Sequence, residues 1–378
     1  MRAVEQGVDQ QDAPLRGQPL QGLPGGAGLL EHVGDHRGHG RRLRLEGGPK
    51  GTVKCLLPRV FGAAYRRLHR SGGPATPTEL EHDMTANPVE FVFTRDGNRL
   101  VGDLYLPAGD PVGVVVTTGP LTSVKEQAAG VYAAALARRG FAALAFDHTG
   151  FGASEGTPRQ LEDPLGKAAD IEAAVTALLA DSRFAGRTVV ALGVCAGGGY
   201  MARAVADDPR IRAFAGVAGV YPDGTASPAD PAVVERGRRA RERRLKDGVV
   251  ETIPAVATDN GDVAMPLTEA FEYYGTARGA VPNYTNAFAV ESFEHTAGFD
   301  AYRAAARLTV PFLLVHSEHA LVPPWARAFY AAVTAEKSEL WLDSAGQIDF
   351  YDDPRLIDPA ADAAAALFTT VVAETARG

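Results

Sequence analysis

The chain has 378 residues, a net charge of -8 at pH 7 and a sequence pI of about 5.6. This acidic balance argues against a nucleic-acid surface, where clustered positive charge is expected, so we expect no nucleic-acid partner. The two cysteines, Cys55 and Cys195, make no disulfide framework, which favours a reducing, cytoplasmic location. We also expect no membrane partner, because no run approaches the roughly 18 apolar residues of a membrane span and the first thirty residues do not resemble a signal peptide.

Residues 1–83 differ from the rest of the chain. They are rich in Gly, Pro, Arg and His and have neither helical nor strand periodicity. Two interpretations stay open: a disordered tail, or a segment upstream of the true start at Met84. The histidines of this stretch fit no ligand spacing, so we expect no metal and no cofactor.

From Val89 the pattern becomes regular. "VEFVF" and "RLVGDLYLP" alternate like an antiparallel hairpin that turns at Asp96 and Gly97. Apolar runs such as "VGVVVTT", "FAALAFDH", "TVVALGV" and "IRAFAGVAGV" then alternate with stretches of helical spacing such as "SVKEQAAGVYAAALARRG" and "LGKAADIEAAVTALLAD". This order predicts an α/β protein with a mostly parallel sheet covered by helices on both faces.

One segment, residues 222–300, interrupts the alternation after the sixth strand. It carries "VVERGRRARERRLKDG", in which Glu is mixed with Arg as on a solvated helix face. We interpret the segment as a cap inserted between core segments 84–221 and 301–378. Tyrosine rings suit a substrate lid, because they combine apolar area with a polar tip. The candidate pocket residues are Tyr273, Tyr274, Tyr284 and Asn286, although ordinary packing of the cap on the core would explain them as well.

The stretch "GVCAGGG" joins a predicted strand directly to a predicted helix. It matches a nucleophile elbow, with Cys195 where serine is more usual. Small residues are needed two places before and after the nucleophile, and Gly193 and Gly197 occupy those places. The helix amino terminus below Cys195 favours a thiolate, so we expect a reactive cysteine.

The elbow also predicts an oxyanion hole. One donor would be the backbone N–H of Ala196. The second would come from the loop "TTGPLTSVKEQ", near Leu121 or Thr122. In the same loop, Glu126 would act as a favourable first-turn acid, pair with Lys125 or touch the resting thiol.

The stretches "SVKEQ", "LAFDHTGFGASEGTPRQLEDP" and "GVCAGGGY" resemble the dienelactone-hydrolase-like branch of the α/β-hydrolase superfamily, which has a cysteine nucleophile. The likeness extends over about residues 88 to 375. It implies an α/β-hydrolase fold, an acid near "VHSEHALVPP" and a catalytic histidine near "SAGQIDFYDD".

The chain departs from that resemblance at Gln347, which occupies the expected histidine position. Glutamine cannot accept and return a proton near neutral pH. Three alternatives stay open: His319 as the base with Glu318 as its orienting acid, His148 as the base, or no histidine at Cys195.

These observations predict a hydrolase of a small carboxylic ester, lactone or thioester that attacks with Cys195. Gln347 motivates a second hypothesis, a non-hydrolytic lyase, isomerase or cyclase on the same fold, because an acyl-enzyme would persist without a base to activate water. A third is a ligand-binding protein without turnover. The expected partner is a small-molecule substrate, and the sequence leaves a homodimer open.

Overall fold

The computed structural model describes residues 88–225, 229–259 and 261–377. The expectations for residues 1–83 lie outside this part of the chain. The strands in chain order are β1 Val89–Arg95, β2 Asn98–Tyr105, β3 Val114–Thr118, β4 Ala142–Phe146, β5 Val189–Val194, β6 Ile211–Val217, β7 Thr252–Ile253, β8 Phe288–Ala289, β9 Phe312–His316 and β10 Lys337–Trp341.

Eight of these strands form the main sheet, in the order β1-β2-β4-β3-β5-β6-β9-β10. β2 is antiparallel to β1 and β4, and the remaining neighbours are parallel. The predicted hairpin turn is confirmed: Asp96 and Gly97 both have positive φ, 50° and 82°, as a two-residue hairpin loop with matching twist requires.

Helices cover both faces of this sheet, as predicted. With those of the segment between β6 and β9 included, the α-helices of the described residues are α1 Ala128–Ala137, α2 Pro164–Ala180, α3 Ala196–Asp207, α4 Pro231–Asp247, α5 Thr268–Tyr274, α6 Ser292–Ala297, α7 Pro323–Ala332, α8 Asp349–Asp352 and α9 Pro354–Thr375. Successive strand side chains point to opposite faces. Val115 therefore packs in the core under α1 and α9, whereas Val114 and Val116 pack in the core under α2, α3 and α7.

The last helix, α9, is long and apolar enough to cross a membrane by length and composition. Half of its most apolar window is buried inside the protein, and the helix packs against α1 and β6. Buried core helices have the same composition, so this helix is weak evidence for a membrane span.

The cap follows β6 and ends before β9, and it contains α4, α5, α6 and the small β7–β8 sheet. The basic stretch forms α4, and part of it is the expected solvated face, where Arg238 pairs with Glu235 and Glu242. Arg244 instead reaches Glu291 beside α6, at 2.7 Å, and Arg241 likewise reaches Glu294. The arginines therefore also hold the cap together.

Candidate active site

Cys195 lies between β5 and α3, in a turn that few side chains adopt. Its φ is 56° and its ψ is -126°, a strained geometry typical of nucleophile elbows. The flanking glycines are required by space. A Cβ on Gly193 would lie 2.5 Å from the Gly197 carbonyl oxygen, and one on Gly197 would lie 2.5 Å from that of Gly119. The local sequence therefore dictates the turn.

Against the burial that raises the pKa of the Cys195 thiol, four neighbouring groups act to lower it. Two are the backbone N–H groups of Ala196 and Leu121, and two are the side chains of Tyr351 and Gln347. The first pair corresponds to the donors expected for an oxyanion hole. The Thr122 N–H, the alternative donor, instead donates to Glu162 Oε2 at 3.0 Å.

The thiol is not the low-pKa thiolate that the helix amino terminus led us to expect. Cys195 is only 6% exposed, and burial raises the pKa of its thiol, although the Tyr351 hydroxyl and the Ala196 N–H act in the opposite direction. Desolvation disfavours the charged form more than these donors favour it. The resting sulfur is therefore protonated near neutral pH.

Gln347 is fixed by its own amide group. Its Nε2 donates to the Ala218 carbonyl oxygen at 2.9 Å, and its Oε1 accepts from the Leu321 N–H at 2.9 Å. These bonds join the loop after β10 to the loops after β6 and β9. The position next to the sulfur is therefore occupied by a group that orients but does not take a proton.

The structure does not bring His319 to the thiol. Its side chain is 64% exposed, and its Nδ1 lies 2.9 Å from the Ser344 carbonyl oxygen. Glu318 does not orient it, because Glu318 pairs with Arg327 on α7. The Glu318–His319 pair expected from sequence neighbours is therefore absent, since adjacent residues in this loop point to different partners.

His148 is buried, but it too is bound elsewhere. Its Nε2 lies 2.8 Å from Thr118 Oγ1, and its Nδ1 lies 3.1 Å from Asp170 Oδ2. Burial lowers the pKa of this imidazole. Asp170 also accepts from Arg95, at 2.9 Å. We conclude that His148 cross-links β3, β4 and α2 instead of facing Cys195.

The predicted pocket residues divide into two groups. Tyr274 stacks on Tyr284, with ring centres 5.2 Å apart, and contacts Tyr351 edge-on. Tyr273 contacts Tyr351 as well, with centres 5.5 Å apart. Asn286 is different, because its exposed side chain pairs with both backbone groups of Val256 within the cap. The tyrosines therefore lie over the elbow, and Asn286 braces a cap loop.

Glu126 does not touch the thiol. It lies 2.5 Å from the Lys125 ammonium, and its Oε1 accepts from Asn283 Nδ2 of the cap, also at 2.5 Å. Lys125 also pairs with Asp103, at 3.1 Å. The Asn283 contact ties the loop between β3 and α1 to the cap, and the Asp103 contact ties it to β2. Among the described residues, no group of three His, Cys, Asp or Glu side chains is placed to hold a metal ion.

Sequence reasoning missed Tyr351, although a signal was present. Tyr351 follows Gln347 by four residues, and side chains four apart share a face wherever the chain is helical. The run "QIDFYD" has this spacing, although the helix itself begins only at Asp349, after Gln347.

The sequence analysis also did not predict a buried ion pair beside the loop between β3 and α1. Lys167 lies 2.6 Å from Glu162 Oε1, with side chains 3% and 0% exposed. Tyr200 donates to the same carboxylate oxygen at 2.7 Å, and the Glu162 N–H donates to Ser292 Oγ at 2.9 Å. No sequence pattern marked this pair, because one partner lies in a loop and the other in a helix.

The sheet, the flanking helices and the elbow define an α/β hydrolase. The family model described as serine aminopeptidase, S33 matches residues 114–345. The chain therefore belongs to this family. It is 31% identical over 266 residues to the uncharacterized protein YcjY of Escherichia coli strain K12, across 67% of this chain and 87% of that protein.

A second relative has a known structure. The uncharacterized protein PA2218 of Pseudomonas aeruginosa is 31% identical over 276 residues, across 68% of this chain and 74% of that protein. Its crystal structure superposes with a TM-score of 0.68 at 27% identity, covering 76% of this chain and 94% of the other. A more local match is the thiohydrolase aneE of Aspergillus aculeatus, 33% identical over 135 residues, or 36% of this chain and 42% of that protein.

Proposed function

We propose that this protein is a hydrolase of small activated acyl compounds and that Cys195 is its nucleophile, with thioesters the best-fitting substrates and lactones and esters the related ones. The observation that carries the proposal is the position of the sulfur. It lies on a nucleophile elbow, and the N–H groups of Ala196 and Leu121 point at it from two separate loops.

In the first step, the sulfur adds to the substrate carbonyl carbon and the carbonyl oxygen becomes negatively charged. The two N–H groups can then donate to that oxygen, which lies next to the sulfur in the adduct. Collapse of the adduct breaks the bond to the leaving group and leaves an acyl chain on Cys195.

The proton of Cys195 favours substrates with a good leaving group. None of the four groups that act to lower the pKa of the thiol is a base at neutral pH, so the proton must pass to the leaving group itself. With a thioester, the step converts one thiol and one thioester into another thiol and thioester, so the exchange of acyl group and proton is nearly balanced in bonds formed and broken. The name of the relative aneE, a thiohydrolase, supports the same substrate class.

The second step, release of the acyl group from Cys195, favours a second candidate function besides hydrolysis. Hydrolysis of the acyl-enzyme needs a water that loses a proton, and Gln347 stands where a histidine would take it. A hydroxyl group carried by the acyl chain would serve as acceptor in place of water, and the product would then be a lactone. The second candidate is therefore a cyclase that uses the same acyl-enzyme.

The test uses acyl thioesters of N-acetylcysteamine with the full chain. We expect release of the free thiol and a Cys195-linked acyl group by intact-protein mass spectrometry. Cys195→Ala should abolish both, whereas Cys55→Ala, the matched cysteine control, should keep both. Neither adduct nor turnover would contradict the proposal and favour a binding protein.

The same experiment separates the two enzyme candidates. Free acid as product supports the hydrolase, whereas lactone formed from a hydroxyacyl thioester supports the cyclase. The proposal retains a small-molecule partner and a cytoplasmic location, for which the acidic composition and the two cysteines argue.

A further inference from the structure

Three side-chain hydroxyls in the region of Cys195 and the cap are buried and have no hydrogen-bond partner at ordinary distance and angle, although those of Thr122 and Tyr284 lie close enough to interact with each other. They are the side-chain hydroxyls of Thr122, Tyr274 and Tyr284. Thr122 is 1% exposed and Tyr274 is 4% exposed. A buried polar group without a partner costs about 1–3 kcal/mol, and such groups are uncommon in folded proteins. Three of them in one region call for an explanation.

The three hydroxyls belong to one small region. The Thr122 hydroxyl lies beside that of Tyr284, and the Tyr284 ring stacks on that of Tyr274 with centres 5.2 Å apart. Tyr274 in turn contacts Tyr351, whose hydroxyl acts to lower the pKa of the Cys195 thiol. Thr122 also follows Leu121, whose N–H points at that sulfur. The contacts therefore lead from the sulfur through Tyr351 to Tyr274, and from there to Tyr284 and Thr122, which is the direction in which we expect an acyl chain on the sulfur to extend.

These hydroxyls form a neutral environment. Burial raises the pKa of Tyr284 to about 12 and that of Tyr274 well above its ordinary value, so both stay protonated near neutral pH. The nearby charged residues Glu162 and Lys167 pair with each other at 2.6 Å. Glu162 also accepts from the Thr122 N–H and the Tyr200 hydroxyl. In the part of the chain that the structure describes, Lys167 next to this region is thus already paired, and the region offers hydroxyl donors and acceptors.

We infer that the hydroxyls of Thr122, Tyr274 and Tyr284 form a subsite for a neutral hydroxyl or keto oxygen on the acyl chain of the substrate. This inference rests on the proposed function, since it assumes that Cys195 carries that chain. It narrows the substrate class to acyl compounds with an uncharged oxygen a few bonds from the reacting carbonyl.

The test compares four thioesters of N-acetylcysteamine: butanoyl, 3-hydroxybutanoyl, 3-oxobutanoyl and succinyl. We expect kcat/KM for the two neutral oxygenated chains to exceed that for butanoyl by about tenfold, the equivalent of one added hydrogen bond. The succinyl thioester should react no faster than butanoyl. Equal rates for the first three chains would overturn the inference.

Substitutions of the two tyrosines test whether their hydroxyl groups cause the preference for oxygenated acyl chains. Tyr274→Phe and Tyr284→Phe should each lower the ratio of hydroxybutanoyl to butanoyl kcat/KM by threefold or more. Tyr132→Phe is the matched control, because Tyr132 in α1 also has a buried hydroxyl without a partner but lies in the core under α9. It should leave the ratio unchanged. A ratio that stays high in both site variants would contradict the inference.

A binding measurement separates this inference from the proposed function. Calorimetry with the Cys195→Ala variant reports affinity for the same thioesters without chemistry. Tighter binding of the hydroxybutanoyl than of the butanoyl compound supports the subsite even if the wild-type chain turns over neither. Equal affinity would contradict the subsite even if the wild-type chain hydrolyses both.

Discussion

Tyr351 and Cys195 lie in one buried cluster, and the Tyr351 hydroxyl acts to lower the pKa of the Cys195 thiol against the burial that raises it. Burial holds the pKa of Tyr351 well above its ordinary value, so this hydroxyl remains a donor at any pH at which the protein is studied. A donor at the sulfur favours the thiolate over the thiol. If Cys195 is the nucleophile, as we propose, Tyr351 would ease ionisation of the thiol without accepting its proton.

Tyr351→Phe should raise the pKa of the Cys195 thiol further and slow acylation. A hydrogen bond to a charged group contributes about 1.5–3 kcal/mol, which corresponds to about one to two pH units. The pH dependence of single-turnover acylation measures the change, and Tyr132→Phe serves as the control. An unchanged pH profile would show that the hydroxyl does not act on the sulfur.

Iodoacetamide should label Cys195 more slowly at pH 7 than it labels a cysteine in a short peptide. The reason is the raised pKa of the buried thiol, because only the thiolate reacts. The labelling rate should rise with pH through and above the ordinary range of a thiol. Mass spectrometry of timed samples, with the denatured chain as reference, gives the rates. Fast labelling at pH 7 would support the thiolate that the elbow alone predicts.

Gln347→His should speed deacylation by about tenfold, because it puts an imidazole where the amide now touches the sulfur. A well-positioned base contributes about 10²–10⁴-fold, and this one lacks an orienting acid. Glu318→Ala added to it should leave the gain intact, since Glu318 is committed to Arg327. Single-turnover deacylation rates measure the gain. An unchanged rate in a folded variant would show that a histidine at position 347 cannot act as the base.

Glu162→Gln should destabilise the protein by about 3–5 kcal/mol, because it leaves the buried Lys167 ammonium without a counter-charge. Glu162→Gln combined with Lys167→Met should recover much of this loss. Denaturant unfolding measures both variants. If the single variant unfolds at the wild-type denaturant concentration, the ion pair contributes no stability.

Gly197→Ala should prevent folding or reduce stability by about 3 kcal/mol or more, because the new Cβ would lie 2.5 Å from a backbone oxygen that cannot move aside. Gly109→Ala is the control, since a Cβ there meets nothing within 4 Å. Thermal unfolding of the two variants tests the elbow geometry. Similar melting temperatures for both would contradict it.

Much of the fold was predictable from local patterns. The alternation of apolar strands and amphipathic helices predicted a parallel sheet covered by helices on both faces. The pair "DG" between two alternating runs predicted the hairpin of β1 and β2. The elbow was predictable because Gly193 and Gly197 respond to backbone contacts within a few residues. These features depend on short-range geometry, which a sequence shows directly.

The surroundings of the sulfur were harder to predict. The choice of His319 relied on its place in a loop, but the direction of its side chain depends on Ser344, from a different segment. The pKa of the Cys195 thiol depends on how completely Tyr274, Tyr351 and other distant residues exclude water. Such quantities arise from the packing of many segments, and no local pattern encodes them.

The two hydrogen bonds of the Gln347 amide also limit which substitutions at this position the surrounding loops can accept. An imidazole at position 347 that faces the sulfur with one nitrogen has only the other nitrogen left, so it can keep at most one of the bonds to Ala218 and Leu321. A single substitution toward histidine would therefore gain a base and loosen three loops at once. A second substitution in the loop after β6 or β9 that supplies a new partner would restore the lost contact, so we expect the full benefit of a histidine at position 347 only together with such a change.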